Sequence, residues 1–173
     1  MSNDKLQKFY DLVEELQVAM FTTRRADGRL VSRPMATQRR AAGADLWFVT
    51  DRASAKLEEI GGDPHVNLAY YKDRTREWIS VSGKARFVED REKIRELYTP
   101  DWRAWFGDAG GPTDGTPDDP RMVLIAIDIE MAHYLEVNKP QPVVLFEVVK
   151  GMVTGKQPNV GEVQEVTTRD LGR

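Results

Sequence analysis

Leu6, Phe9, Leu12, Val13 and Leu16 recur at three- and four-residue intervals, which gathers apolar side chains on one face of a helix. The chain therefore opens with an amphipathic helix, capped at Asn3 or Asp4. Short runs rich in β-branched and aromatic residues follow, from Val18 to Thr23, Leu30 to Ala36, Leu46 to Thr50 and Val66 to Tyr71, and these predict strands. Asp27-Gly28 separates the first two with residues that tolerate the positive φ of a tight turn, which makes them an antiparallel hairpin. Ile79 and Val81 alternate with polar neighbours, and Gly83 interrupts the alternation before Ala85 and Phe87, as in a strand with a bulge or bend. Val123 to Ile129 and Val143 to Val153 read as two further strands, and short helices are predicted from Ser54 to Ile60 and from Arg91 to Leu97.

The order is mainly β, a β-barrel or sandwich with peripheral helices, in one domain over residues 1–155 followed by a polar, turn-rich tail over 156–173. The run GDAGGPTDGTPDDP, from Gly107 to Pro120, reads as a mobile loop without the spacing of a calcium-binding EF-hand.

Composition narrows the chemistry. With 173 residues, 40% of them hydrophobic, the chain is long enough to bury a core without covalent staples. Having no cysteine excludes disulfides, thiolate metal sites and thiol nucleophiles, and two histidines far apart in sequence argue against a metal centre. A net charge of −3 speaks against a broad nucleic-acid surface, with Arg24-Arg25 and Arg39-Arg40 as local basic spots only. With neither a leader nor a long apolar span, a cytoplasmic protein that does not engage membranes is expected. The sequence holds no GxSxG elbow, no GxxxxGK[ST] phosphate loop and no GxGxxG after a strand.

The stretch FVTDRASAKLEEI is where chemistry enters. A phosphate monoester needs hydroxyls, free backbone N–H groups and a cation together, and Thr50, Ser54 and Lys56 stand at a strand-to-helix turn that offers all three. The plainer alternative is that Asp51 or Ser54 caps a short helix while Lys56 points into water. Arg33 lies inside a strand just before Pro34, which cannot donate to a ladder and so marks an edge or rim. With Lys56 it would give one phosphate both a fork and a point charge; alone it is an outward strand charge. Trp47 and Trp78 read as core, whereas Trp102 and Trp105 in DWRAWF are helically spaced beside the loop and suggest a lid or a surface that a partner covers. Glu14-Glu15 and Glu58-Glu59 read as solvated helix faces, and His65 as a structural hydrogen-bonding histidine.

Taken in order, SRPM, LWFVTDRASAK, DPHVNLAYY, WISVSGKARF, WRAWF and DDP resemble the pyridoxamine 5′-phosphate oxidase-like flavin-binding proteins, and most of all their general stress protein branch. The resemblance runs from the first helix to about Val153 and implies a split β-barrel, a homodimer, and FMN at the dimer interface, with FAD or another flavin, a deazaflavin included, or a haem as alternatives. By resemblance, Arg33, Ser54 and Lys56 bind the flavin phosphate, and Pro34, Met35, Val49 and Thr50 line the ribityl chain and isoalloxazine. Trp105 matches an aromatic position that approaches from the partner chain. The basic C-terminal segment that closes over pyridoxal phosphate in the oxidases is not recognisable in EVTTRDLGR, and an aromatic pair of the family reads Tyr134-Leu135 here. The resemblance therefore implies flavin binding without vitamin B6 oxidation. It leaves two roles open, a flavin-dependent oxidoreductase of unidentified substrate and a non-catalytic flavin-binding or sensing stress protein.

Overall fold

The computed structural model describes residues 2–137, 140–159 and 161–173. Helix α1 (Ser2–Leu16) precedes β1 (Val18–Arg24), β2 (Leu30–Ala36) and β3 (Leu46–Asp51). After α2 (Ala55–Gly62) come β4 (His65–Tyr71), β5 (Trp78–Val88), α3 (Arg91–Leu97) and α4 (Asp101–Phe106). The long β6 (Met122–Glu136), α5 (Gln141–Thr154) and β7 (Glu162–Thr167) complete the order. Because α1 begins at Ser2, Asn3 and Asp4 lie in its first turn and are not its cap.

The strands form one antiparallel sheet in the order β2-β1-β4-β5-β6-β3, with β7 also paired to β6. β6 runs beside β5 and divides its other edge, giving residues 122–127 to β3 and 131–136 to β7. The sheet curls until its two end strands approach, yet no ladder joins β2 to β3; the Gln38 N–H donates to the Trp47 carbonyl at 2.8 Å across the gap. This is the split barrel with peripheral helices that the family resemblance implied, and the split is where the cleft described below opens.

Two cores explain the pattern along β3 and β6. Leu46 and Phe48 point into the barrel with Phe21, Leu68, Ile79, Val81, Ile125 and Ile127, under a lid made by Phe9, Leu12 and Val13 of α1. Trp47 points the other way, into a cluster with Ile94 and Leu97 of α3, Trp102 of α4, and Met122, Leu124 and Ala126 of β6. The unbroken apolar run MVLIAI is thus buried on both faces, which is why it lacks alternation.

Two expectations for the C-terminal segment after β6 fail. Val143 to Val153 lies in the helix α5 and is not a strand: Pro142 sits in its first turn, where a fixed φ suits a helix, and Gly155 ends it at φ 66°. Those signals were in the sequence, but the β-branched valines outweighed them. The polar segment from Lys156 onward carries β7, with Val166 fully buried, Leu171 packed on the barrel core and the Arg173 guanidinium paired with Asp45. Its alternation is too short, and too polar on its outer side, to have announced a strand.

The bulge expected at Gly83 lies between Ser82 and Gly83, where β5 shifts register on β6. A Cβ there would come 2.5 Å from the Asp128 carbonyl oxygen. Gly83→Val is accordingly expected to destabilise by about 1–3 kcal/mol, read as a lower urea midpoint at unchanged m-value, because strand backbone cannot swing aside as a side-chain tip does. An unchanged midpoint would mean that β6 yields here.

Candidate functional site

The chain turns sharply after β3. The Asp51 carboxylate accepts from the Ala53 N–H at 2.7 Å, and the Ser54 N–H donates to the Asp51 carbonyl at 3.0 Å, which brings Ser54 to the N-cap of α2. Its side chain makes no capping hydrogen bond. The Ser54 hydroxyl instead accepts from Lys56 Nζ at 2.6 Å, and the Thr50 hydroxyl accepts from the same ammonium at 2.6 Å. Ser54 thus takes the N-cap position of the plainer alternative without its side-chain cap, but Lys56 folds back over the turn rather than reaching into water. Burial, and next the nearby Arg33 charge, lower the Lys56 pKa from the ordinary lysine value.

Lys56 closes one end of a cleft of about 470 Å³ lined by Pro34 and Met35 of β2, Val49 and Thr50 of β3, and Trp102, Trp105 and Phe106 of α4. Of the residues expected at a cofactor site, Pro34, Met35, Val49, Thr50, Lys56 and Trp105 line it directly. Ser54 and Arg33 stand outside the lining. Ser54 touches the cleft through Lys56. Arg33 donates from Nη1 to Thr23 Oγ1 at 2.6 Å and from Nη2 to Glu59 Oε2 at 2.7 Å. Thr23 Oγ1 donates to Glu59 Oε2 at 2.6 Å, which closes the triangle. Burial alone would raise the Glu59 carboxyl, but the hydrogen bonds from Thr23 and Arg33 outweigh it and hold the pKa below the usual range. Sequence reasoning missed Glu59 by assigning Glu58-Glu59 to a solvated face; the signal available was Arg33 itself, an inward charge in need of a carboxylate.

The far wall is α4. Trp102 is 1% exposed, donates its indole N–H to Gln38 Oε1 at 2.9 Å and meets Tyr98 edge-on at 5.5 Å, so it anchors the wall and is not a lid. Trp105, nearly one turn on, is 86% exposed at the rim. The resemblance gave Trp105 to the partner's cleft; here it also borders its own. Tyr70 and Tyr134 are buried in the barrel, Trp78 is half-buried and Tyr71 is exposed.

The loop that composition reads as mobile is pinned by Arg91, Tyr98 and Arg95 of the preceding segment and, with the most bonds, by Arg121. Arg121 donates from Nη1 to the Phe106 carbonyl at 2.8 Å, and from Nη2 to the Gly107 carbonyl at 2.9 Å, the Thr113 carbonyl at 3.1 Å and Asp119 Oδ2 at 2.6 Å. Asp119 is fully buried and also accepts from the Gly115 N–H at 2.8 Å. The Arg121 hydrogen bond, ahead of every other influence, pulls the Asp119 pKa down to about 2. This pair fixes the carbonyl end of α4, and with it the wall that carries Trp105. Among the described residues, no three histidine or acidic side chains gather closely enough to hold a metal ion, and no helix is long and apolar enough to cross a membrane.

A family model described as pyridoxamine 5′-phosphate oxidase like matches residues 4–159. Protein bli-3 of Neurospora crassa is 34% identical over 172 residues, spanning 98% of this chain and 82% of that one. Among solved structures, a candidate general stress protein 26 from Jannaschia sp. CCS1 superposes with a TM-score of 0.72 at 24% identity, covering 95% of this chain and 98% of its own. A general stress FMN/FAD binding protein from Xanthomonas citri superposes with a TM-score of 0.64 at 24% identity, covering 80% of this chain and 92% of its own.

Proposed function

The chain belongs to the pyridoxamine 5′-phosphate oxidase-like family, and from that premise we propose that it is a general stress protein that binds FMN and works as an oxidoreductase on a small molecule other than pyridoxamine phosphate. The observation that carries the reading is Lys56: a half-buried ammonium whose hydrogen bonds go to two neutral hydroxyls, at the end of an apolar-walled cleft. A cation withdrawn from water without a carboxylate of its own calls for an anion, and a phosphate monoester brings roughly −1.5 to −2 charges. A cleft of about 470 Å³ lies within the usual size of small-molecule and cofactor sites. The relative from Xanthomonas citri is described as binding FMN or FAD, which supports a flavin in the same place.

On this reading Lys56, with Thr50 and Ser54 holding its ammonium, binds the phosphate, and Arg33 stands close enough for its charge to act on Lys56. Pro34, Met35 and Val49 give the ring a dry wall, and Trp105 is left to shield it from the rim. A bound flavin supplies the electron chemistry itself, so the residues need only fix it in place and control access, and no side-chain base is required. The EVTTRDLGR segment ends β7 and folds back to Asp45 through Arg173, which leaves it committed to the barrel rather than to covering a substrate. Protein loaded with FMN is expected to oxidise NADH or NADPH, or to pass electrons to oxygen, and to form no pyridoxal phosphate. Flavin binding without any turnover would leave sequestration or sensing as the role.

The same reading includes a homodimer. Where β2, β1, β4 and β5 lie side by side, their outward positions are Ser32 and Pro34, Val18, Met20 and Thr22, Asn67 and Ala69, and Ser80 and Ser82. The middle of that area is free of charge, with Arg24 and Lys84 at its edge, as suits interface centres depleted of charge, and Val18 and Pro34 belong also to the cleft, so a second copy seated here would close it. Light scattering should give a dimer that Met20→Arg splits, and Met20→Arg should weaken FMN as well. A wild-type monomer with and without FMN would remove the dimer from the reading.

A further inference from the structure

We propose that Glu59 is a positioning residue for the phosphate end of the cleft, holding the Arg33 guanidinium ready for the anion. The inference rests on the flavin reading above.

Arg33, Thr23 and Glu59 come from β2, β1 and α2, three elements that meet only through folding, and their three mutual hydrogen bonds are all between 2.6 and 2.7 Å. The Glu59 side chain is 12% exposed and that of Arg33 23%, so neither charge is free to swing in solvent. A guanidinium carries five N–H donors in a rigid fork. Two of them are spent on Thr23 and Glu59. The others remain for a ligand, on a side chain whose rotamer freedom was already lost in folding, so little more is lost when an anion arrives.

Glu59 also acts on Lys56, three residues earlier on the same face of α2. The charges that bear on Lys56 are Arg33 from β2, which disfavours its protonated form, and Glu59 from α2 and Asp51 from β3, which favour it. Without the Glu59 carboxylate, the two cations would stand together with only Asp51 to offset them, Arg33 loose and Lys56 more readily neutral. A carboxylate beside a phosphate site repels a phosphate at long range, and the structure holds it there nonetheless, hydrogen-bonded to Arg33 and within reach of the Arg25 charge. That placement makes sense if orientation outweighs repulsion.

FMN and riboflavin titrations by flavin fluorescence, on wild type and variants, test this. Glu59→Ala is expected to weaken FMN roughly tenfold while riboflavin moves little, since the loss acts through the phosphate. Glu59→Gln, which keeps an acceptor for Arg33 and Thr23, should recover most of that loss near neutral pH. Its preference for FMN should nonetheless fade at a lower pH than in wild type, because Lys56 loses a carboxylate that favours its charge. In an Arg33→Ala background, Glu59→Ala should add little, as residues acting through one another are not additive. If Glu59→Ala binds FMN as tightly as wild type or tighter, or weakens riboflavin equally, the proposal is overturned while the flavin reading stands. If wild type itself binds FMN no better than riboflavin, the phosphate reading falls, and this inference with it. Should Glu59→Ala fail to fold, Arg33→Ala decides in its place: if it binds FMN as tightly as wild type, Glu59 has nothing to position and the proposal is overturned.

Discussion

Lys56→Ala is expected to weaken FMN by about tenfold to a hundredfold and to leave riboflavin nearly unchanged, because a charge-assisted hydrogen bond is worth roughly 1.5–3 kcal/mol and only one of the two ligands carries the phosphate. The fold should survive. Lys56 is half-buried and bonded to two hydroxyls that can turn to other partners, and α2 keeps Ile60 in the barrel core. The double difference between two proteins and two flavins isolates the phosphate from general damage to the cleft. Equal weakening of both ligands would place Lys56 against the ring system, and no weakening of either would take it out of the site.

The pH dependence has a definite sign. An anion is held by the protonated ammonium, and burial has already moved Lys56 toward its neutral form. The preference for FMN over riboflavin should therefore be full at neutral pH and begin to fade, as pH rises, below the ordinary lysine value of 10.5. A bound phosphate pulls the other way and holds the proton on, so the loss should start earlier when the flavin is dilute. Lys56→Arg is a useful contrast: it keeps its charge across the whole range, and its alkaline limb should be flat even if its longer fork binds less well.

Much of this was legible in the chain because local signals agreed with the fold. Asp27-Gly28 made its hairpin, with Gly28 at φ 82°, and Gly83 marked the bulge because the neighbouring strand leaves no room for a side chain. Lys56 could be picked out since its hydroxyl partners are its neighbours in sequence. What stayed hidden depends on contacts between distant segments. Glu59 looks like any helix glutamate until β1 and β2 bring Thr23 and Arg33 to it. Trp102 looks like a surface aromatic until Gln38 accepts its indole N–H. α5 was misread for a different reason: its valines carry strand preference in themselves, and only the Pro142 and Gly155 ends spoke for a helix.

Arg121→Ala is expected to have the largest effect on stability, about 3–5 kcal/mol, because it strands the fully buried Asp119 carboxylate and frees the carbonyls of Phe106, Gly107 and Thr113 at once. Arg52→Ala is the matching control: Arg52 pairs with Glu89 at 2.7 Å in the open and touches the Pro120 carbonyl at 3.3 Å, and an exposed pair is worth about 0–1 kcal/mol. Acid separates the two causes. The folded pKa of Asp119, near 2, lies below its ordinary 3.8, so the stability it lends is complete above about pH 4 and is lost as pH falls through 2. That shift corresponds to about 2 kcal/mol. In Arg121→Ala the main cause of the shift is gone and burial favours the neutral acid, so the variant gains on wild type as the solution is acidified. Urea titrations of both proteins at pH 7 and near pH 3 should show the gap between them narrowing. The damage should also reach the cleft, since α4 loses the clamp on its last carbonyls, and FMN and riboflavin should weaken together, unlike the split expected at Lys56. A variant no less stable than Arg52→Ala, or a gap that widens in acid, would mean that the loop is held without Arg121 and that the wall under Trp105 stands on the Trp102 anchor alone.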